Sequence, residues 1–169
     1  MAKWWQRSNT AEIKPIPWLS PRAVEYFESL LTPEMRVLEH GSGGSTLWLA
    51  SRVASVVSIE GDADWQTAVR SQAPANVTVK SLNEFDVESI FHEFDLVLID
   101  GEPLEDRIIF LANAPFLLKA GGIVVLDNAN RPHYAEERKA LQEYTESYEI
   151  VDANEPGTSF LVTDFYRLP

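Results

Sequence analysis

Five apolar runs punctuate the chain, and their spacing limits what it can fold into more than any single motif does. They are MRVLE (35–39), VVSIE (56–60), VTVK (77–80), FDLVLID (94–100) and GIVVLD (122–127). Each is a near-continuous run of Val, Ile and Leu, which marks a strand buried on both faces. Helical segments are expected between them, over 44–53, about 64–73, a short piece near 86–92 and about 104–118. Strands joined by helical crossovers run parallel, so the pattern predicts a doubly wound α/β sheet with helices on both faces.

The two ends depart from this rhythm. Ser20-Pro21 reads as a helix N-cap followed by proline at the first helical position. Val24, Phe27, Leu30 and Leu31 form one apolar face, so a helix is expected to about Leu31, with Pro33 at its exit. At the other end a helix near 133–146 leads to YEIVDA (148–153), a turn at Glu155-Pro156-Gly157-Thr158, and SFLVTDFY (159–166). Strands joined by so short a turn run in opposite directions. At 169 residues the chain fits one domain, expected over 20–169. Residues 1–19 read as an irregular segment broken by Pro15 and Pro17. Its Trp4, Trp5 and Trp18 suit either a flap over a site or a protein-contact surface.

A formal net charge of −12 repels phosphate polyanions, which weighs against nucleic acid as a partner. The absence of cysteine excludes disulfides, thiolate catalysis and zinc–sulfur sites. No run approaches the roughly 20 apolar residues of a membrane span. The opening MAKWWQRSNTAEIKPIPW lacks the apolar stretch of a secretory signal. A soluble, cytoplasmic protein is expected, without membrane partners.

The stretch LEHGSGGSTLWLA (38–50) joins the first of these strands to the helix after it through Gly41, Gly43 and Gly44. Glycine there lets the backbone turn tightly and approach a ligand without an intervening Cβ, and Ser45 and Thr46 offer hydroxyls at the helix start. A dinucleotide fingerprint wants a third glycine where this chain has Thr46, and Glu39 would oppose a pyrophosphate on the helix N-terminus. The loop therefore favours a ligand carrying an ammonium or sulfonium charge. Glu60 ends the second strand, where an acid can accept hydrogen bonds from both ribose hydroxyls.

Four segments, E-H-G-S-G-G-S-T, S-I-E-G-D, L-V-L-I-D-G and L-L-K-A-G-G-I-V-V-L-D-N, together resemble a class I S-adenosylmethionine-dependent methyltransferase. The resemblance spans roughly residues 20–166, nearly the whole chain. It implies a Rossmann-like sheet of seven strands, mostly parallel with the last strand antiparallel. It implies that Glu39, His40, Gly41, Ser42, Gly43, Ser45 and Thr46 hold the methionine part of S-adenosylmethionine, and that Glu60 and Gly61 hold its ribose. Asn83, just past the third strand, falls where the family contacts adenine; it reads equally as a solvated turn residue.

Asp100 ends the fourth strand and Asp127-Asn128 the fifth. Neighbouring strand ends about 4.8 Å apart would bring three oxygen side chains together, and hard oxygen ligands suit Mg2+. The pattern is similar to the metal site of catechol and caffeoyl-CoA type O-methyltransferases, which implies a cation that orients and ionises an acceptor hydroxyl. Two alternatives stand beside it: Asp100 contacting cofactor or substrate without metal, and Asp127-Asn128 as simple turn formers. The lysine that follows the first metal aspartate in the catechol enzymes is absent from Asp100-Gly101-Glu102-Pro103-Leu104-Glu105-Asp106-Arg107, as is the tyrosine of the related group. Glu102 or His133 is left to accept a proton, and His133 is equally a surface residue at a helix start. His40 and His92 lack ligand-spaced partners and are expected to be structural. Trp48 is expected in helix packing and Trp65 near the cofactor edge. The expected activity is methyl transfer from S-adenosylmethionine to an oxygen of a small-molecule acceptor, with a second copy of the chain as a further partner. A non-catalytic S-adenosylmethionine-binding module stays open, as does a nucleotide-dependent oxidoreductase, which Glu39 and Thr46 disfavour.

Overall fold

In the computed structural model, which describes residues 12–152 and 162–169, Ser20 caps the first helix. Its hydroxyl accepts from the Ala23 N–H at 3.1 Å, and Pro21, lacking an N–H to satisfy, opens α1 (Pro21–Leu30). There follow β1 (Arg36–His40), α2 (Gly44–Ala50), β2 (Ser55–Glu60), α3 (Ala63–Arg70) and β3 (Val77–Ser81). Two 3-10 turns (Leu82–Glu84 and Val87–Ile90) lead to β4 (Phe94–Ile99), α4 (Leu104–Leu117) and β5 (Leu118–Leu126). A third 3-10 turn (Pro132–Tyr134), α5 (Ala135–Tyr144), β6 (Ser147–Asp152) and β7 (Val162–Arg167) complete the order.

The strands form one seven-stranded sheet in the order β3-β2-β1-β4-β5-β7-β6. β1 to β5 pair parallel, whereas β7 lies antiparallel between β5 and β6. The expected Rossmann-like, doubly wound plan, mostly parallel with the last strand antiparallel, is the one the chain adopts. β2 and β3 lie to one side of β1, and β4 and β5 to the other. The connections therefore diverge at β1 and β4, and their carboxyl ends flank the crevice where such sheets bind ligands.

Successive side chains leave a strand on opposite faces. Val37, Val56, Leu96, Leu98 and Val125 pack against Phe27 of α1 and Trp48 and Leu49 of α2. Leu38, Ile59, Val97, Ile99 and Val124 pack against Phe110, Leu111 and Ala114 of α4 and Leu141 of α5. An ion pair from Arg138 to the fully buried Asp164, which also accepts from the Tyr166 hydroxyl, fixes α5 to β7.

Element boundaries differ from expectation at three places. β5 starts before GIVVLD, because Phe94 pairs with Leu118 across an irregular register, and Gly121 absorbs the irregularity at φ +74. The short helix expected near 86–92 is a 3-10 turn, and the helix expected near 133–146 opens as one. Trp4, Trp5 and the Glu155-Pro156-Gly157-Thr158 turn lie outside the described residues. Among the described residues no helix is long and apolar enough to cross a membrane.

Candidate functional site

The last two residues of β1 leave on opposite faces and so meet different helices. Glu39 shares the α2 face with Val37 and pairs in register with Ser58 of β2. Its carboxylate accepts hydroxyl hydrogen bonds from Ser45 at 2.5 Å, Thr46 at 2.6 Å and Ser58 at 2.5 Å. Thr46 Oγ1 also accepts from the Gly43 N–H at 2.8 Å, which joins acid, helix start and glycine turn in one network. Glu39 is only 1% exposed, and burial pushes its pKa up to about 6 against the lowering pull of the three hydroxyls. From sequence Glu39 is expected against the ligand. In the structure both of its oxygens accept from neighbouring hydroxyls, which ties its charge to the shape of the loop.

His40 turns to the other face, where its ring stacks on Phe110 at 4.4 Å and Phe110 stacks on Phe85 at 4.5 Å. Burial, with the Arg107 cation second, lowers its pKa to about 3, so it is neutral. Among the described residues its buried Nδ1 has no hydrogen-bond partner.

Glu60 ends β2 beside the glycine turn. Its Oε2 accepts from the Ser42 N–H at 3.0 Å and the Ser42 hydroxyl at 2.9 Å, and its Oε1 from the Asp62 N–H at 2.9 Å. Burial raises its pKa against those hydrogen bonds. The Trp65 indole N–H donates to the Ser42 carbonyl at 2.8 Å, and its ring lies 3.5 Å from where a Gly43 Cβ would stand. The segment before α1 crosses this turn from outside: the Lys14 and Ile16 carbonyls lie 2.6 and 2.4 Å from a Gly44 Cβ position. Glycine at 44 is thus required by the chain's own segment. Ile13 anchors that segment against Ala68, Val69 and Val79. The structure brings Glu39, Gly41, Ser42, Gly43, Ser45, Thr46, Glu60 and Gly61 to one set of strand ends, whereas Asn83 is exposed on the 3-10 turn after β3.

Asp100 and Asp127 extend the ladders past β4 and β5, their N–H groups donating to the His40 carbonyl at 3.0 Å and the Ile99 carbonyl at 3.1 Å. Their carboxyl groups are hydrogen-bonded to each other. Burial raises both pKa values, that of Asp100 well above the ordinary range with the charge of Asp127 adding to it. The Thr163 hydroxyl donates to Asp127 Oδ1 at 3.1 Å. Alongside lies Arg107 of α4, 1% exposed. Its Nε donates to the Gly101 carbonyl at 2.8 Å, Nη1 to the Asp127 carbonyl at 2.6 Å and Nη2 to the Asp100 carbonyl at 2.7 Å. Nη2 also stands 3.5 Å from Asp100 Oδ1. One guanidinium thus ties the ends of β4 and β5 together and supplies the charge that two buried acids need.

That arrangement bears on the expectation of Mg2+ at Asp100, Asp127 and Asn128. A divalent cation needs ionised carboxylates free to turn toward it. Here Asp127 is 3% exposed and bonded to Thr163, and a buried cation is already beside the two acids. Asn128 is buried at φ +51 and its carbonyl accepts from the Tyr134 hydroxyl at 2.5 Å, which makes it the turn former of the alternative reading. Among the described residues no three His, Cys, Asp or Glu side chains are grouped to hold a metal. The donor set does not fit the ion.

His133 is exposed on its 3-10 turn, and its neighbour Tyr134 is the residue that turns inward. Glu102, the other candidate proton acceptor, is paired with Arg131 at 3.2 Å. Sequence alone passes over Arg107, Tyr134 and Thr163. For Arg107 a signal exists: it stands three residues before Phe110, which places both on the buried face of α4.

No family model matches the chain, and no curated protein matches it in sequence. Solved structures match it in shape. The tRNA methyltransferase TrmI of Aquifex aeolicus gives a TM-score of 0.72 at 15% identity, covering 92% of this chain and 72% of that one. A SAM-dependent O-methyltransferase of Thermotoga maritima gives 0.70 at 17% identity, covering 95% and 68%. TYW2 of M. jannaschii, solved in complex with S-adenosylmethionine, gives 0.63 at 18% identity, covering 87% and 74%. At such identities a likeness in shape speaks of the fold, and with the sheet order it is unambiguous there: the chain has the Rossmann-like fold of these structures, two of them methyltransferases and one bound to S-adenosylmethionine.

Proposed function

We propose that the chain binds S-adenosylmethionine at the ends of β1, β2 and β4 and transfers its methyl group to a small molecule held beside Asp100 and Asp127. The observation that carries this reading is the charge of the crevice. Two buried acids, Glu39 and Glu60, flank the glycine turn at the switch point of the sheet. A pyrophosphate on the helix N-terminus would be opposed by Glu39, whereas a sulfonium bearing an ammonium group is drawn to it, and Glu60 stands where an acid accepts from ribose hydroxyls. The neighbour solved with S-adenosylmethionine supports the same choice. The net charge of −12 favours a small acceptor over nucleic acid, although the neighbours include a tRNA enzyme.

When bound, S-adenosylmethionine supplies an electrophilic methyl group on a sulfonium sulfur. The chain's work on the acceptor side is to move a proton. An oxygen acceptor, implied by the resemblance, is kept, with the acid pair in place of a metal. The Asp100 side chain is 25% exposed and the more open of the two acids. In its ionised form it takes the hydroxyl proton, and this leaves an oxygen nucleophile in position.

Calorimetric titration with S-adenosylmethionine, S-adenosylhomocysteine and NAD tests the cofactor. Saturable binding of the first two is expected, weakened by Glu60→Ala, and binding of NAD alone refutes the reading. Methyl release with a panel of hydroxylated small molecules follows, and turnover is expected to vanish in Asp100→Asn. Cofactor binding without turnover across the panel favours the binding-module alternative.

A further inference from the structure

The crevice is spanned by one short loop, residues 101–103, between Asp100 and α4. Its root is pinned: Arg107 donates to the Asp100 and Gly101 carbonyls, and Gly101 backs onto Gly41 so closely that a Cβ there would stand 2.8 Å from its Cα. From this root the loop leans toward β2, where the Glu102 carbonyl lies 3.7 Å from the position of a Gly61 Cβ. Sheet order gives that contact its meaning. β1 separates β4 from β2, so the Glu102 carbonyl, which follows β4, reaches past the switch point toward the residue that follows β2. Close by, the Glu60 carboxylate is taken up by Ser42 and Asp62. At the tip of the loop, Glu102 Oε1 is held by Arg131 at 3.2 Å. Arg131 comes from the turn after β5, where its N–H donates to the Asn128 carbonyl at 3.0 Å.

We propose that the Glu102–Arg131 ion pair is a latch that holds the 101–103 loop across the crevice, and that the crevice admits its ligand when the pair parts. The inference rests on the reading of the crevice as the S-adenosylmethionine site. The side chains are 47% and 35% exposed, so the pair is weak and salt-screened, as a contact that must open readily has to be. Its sign sets it apart from ordinary steering. An acidic chain attracts a cationic cofactor, and salt slows that approach; salt acting on the latch speeds it.

Stopped-flow binding of S-adenosylmethionine, read by Trp65 fluorescence, tests this on wild type, Arg131→Ala, Glu102→Gln and Arg131→Lys. Association is expected to be about two- to fivefold faster in the first two variants, with Arg131→Lys close to wild type. Added NaCl is expected to speed association in wild type and to slow it in Arg131→Ala. Equal or slower association in both charge-removing variants overturns the latch. A second measurement needs no cofactor: amide hydrogen exchange at Gly61, Gly101 and Glu102 is expected to quicken in Arg131→Ala, and unchanged exchange overturns the latch on its own. Faster exchange with no S-adenosylmethionine bound by any variant leaves the latch standing and refutes the cofactor reading.

Discussion

Glu39→Gln separates the charge of Glu39 from the loop it shapes. In the folded chain the Glu39 pKa is pushed up to about 6 from an ordinary 4.5, with burial the largest cause. A folded-state pKa above the unfolded value means that the native state binds the proton more tightly. The stability it contributes is therefore full below the unfolded pKa and is lost as pH rises through the folded one. A displacement from 4.5 to about 6 amounts to ~2 kcal/mol over the whole window, at ~1.4 kcal/mol per pH unit. Of this, ~1.2 kcal/mol falls between about pH 5 and about pH 7.5. Glu60, Asp100 and Asp127 are raised for the same leading reason, so wild type is expected to gain stability on mild acidification. Urea unfolding of wild type and Glu39→Gln at those two pH values isolates Glu39 as the difference between their pH dependences. Wild type is expected to be steeper by ~1.2 kcal/mol. Equal dependences refute the argument that burial outweighs the three hydroxyls.

Arg107→Ala strips the charge from beside the buried acids and removes its hydrogen bonds to three strand-end carbonyls, and is expected to cost about 3–5 kcal/mol in urea unfolding. Gly121→Ala is expected to cost about 1–2 kcal/mol for its backbone alone, since φ is +74 and no atom lies within 4 Å of where a Cβ would stand. Gly41→Ala is expected to cost more in the same assay, because φ +98 is joined by contact with the Gly101 backbone at 2.8 Å. Calorimetric titration with Mg2+ is expected to show no saturable site, and cofactor binding to be the same with and without chelator; a Mg2+ heat abolished by Asp127→Asn refutes the argument from the donor set.

The parts of the fold legible in sequence are those fixed by local chemistry. Val-, Ile- and Leu-rich runs gave the buried strands away, and Ser20-Pro21 marked its helix start because cap and proline act within one turn. The start of β5 was hidden because Gly121-Gly122 reads as a turn, while the pairing of Leu118 with Phe94 is a contact between strands. The site divides in the same way. Glu39, Glu60, Asp100 and Asp127 are legible as acids at strand ends. The destination of the Glu39 carboxylate is not, because Ser58 meets it through the register of β1 against β2. Nor does sequence distinguish His133 from Tyr134, since rotation about one short turn decides which of them faces inward.

A guanidinium in place of a metal changes what an acid pair can do. A divalent cation would hold both carboxylates ionised and would bind the acceptor oxygen itself, lowering its pKa directly. Arg107 cannot reach an acceptor: it is 1% exposed and its donors are committed to the carbonyls of Asp100, Gly101 and Asp127. What it can do is set how many protons the pair keeps. Its charge opposes the burial that raises both acids, and so favours their ionised, proton-accepting forms. In the proposed reaction the pair is therefore a base whose capacity Arg107 fixes. Without a cation on the acceptor oxygen, the acidity of the acceptor itself governs how readily it gives up its proton. Among matched hydroxylated acceptors, turnover should then rise with acceptor acidity and be indifferent to Mg2+.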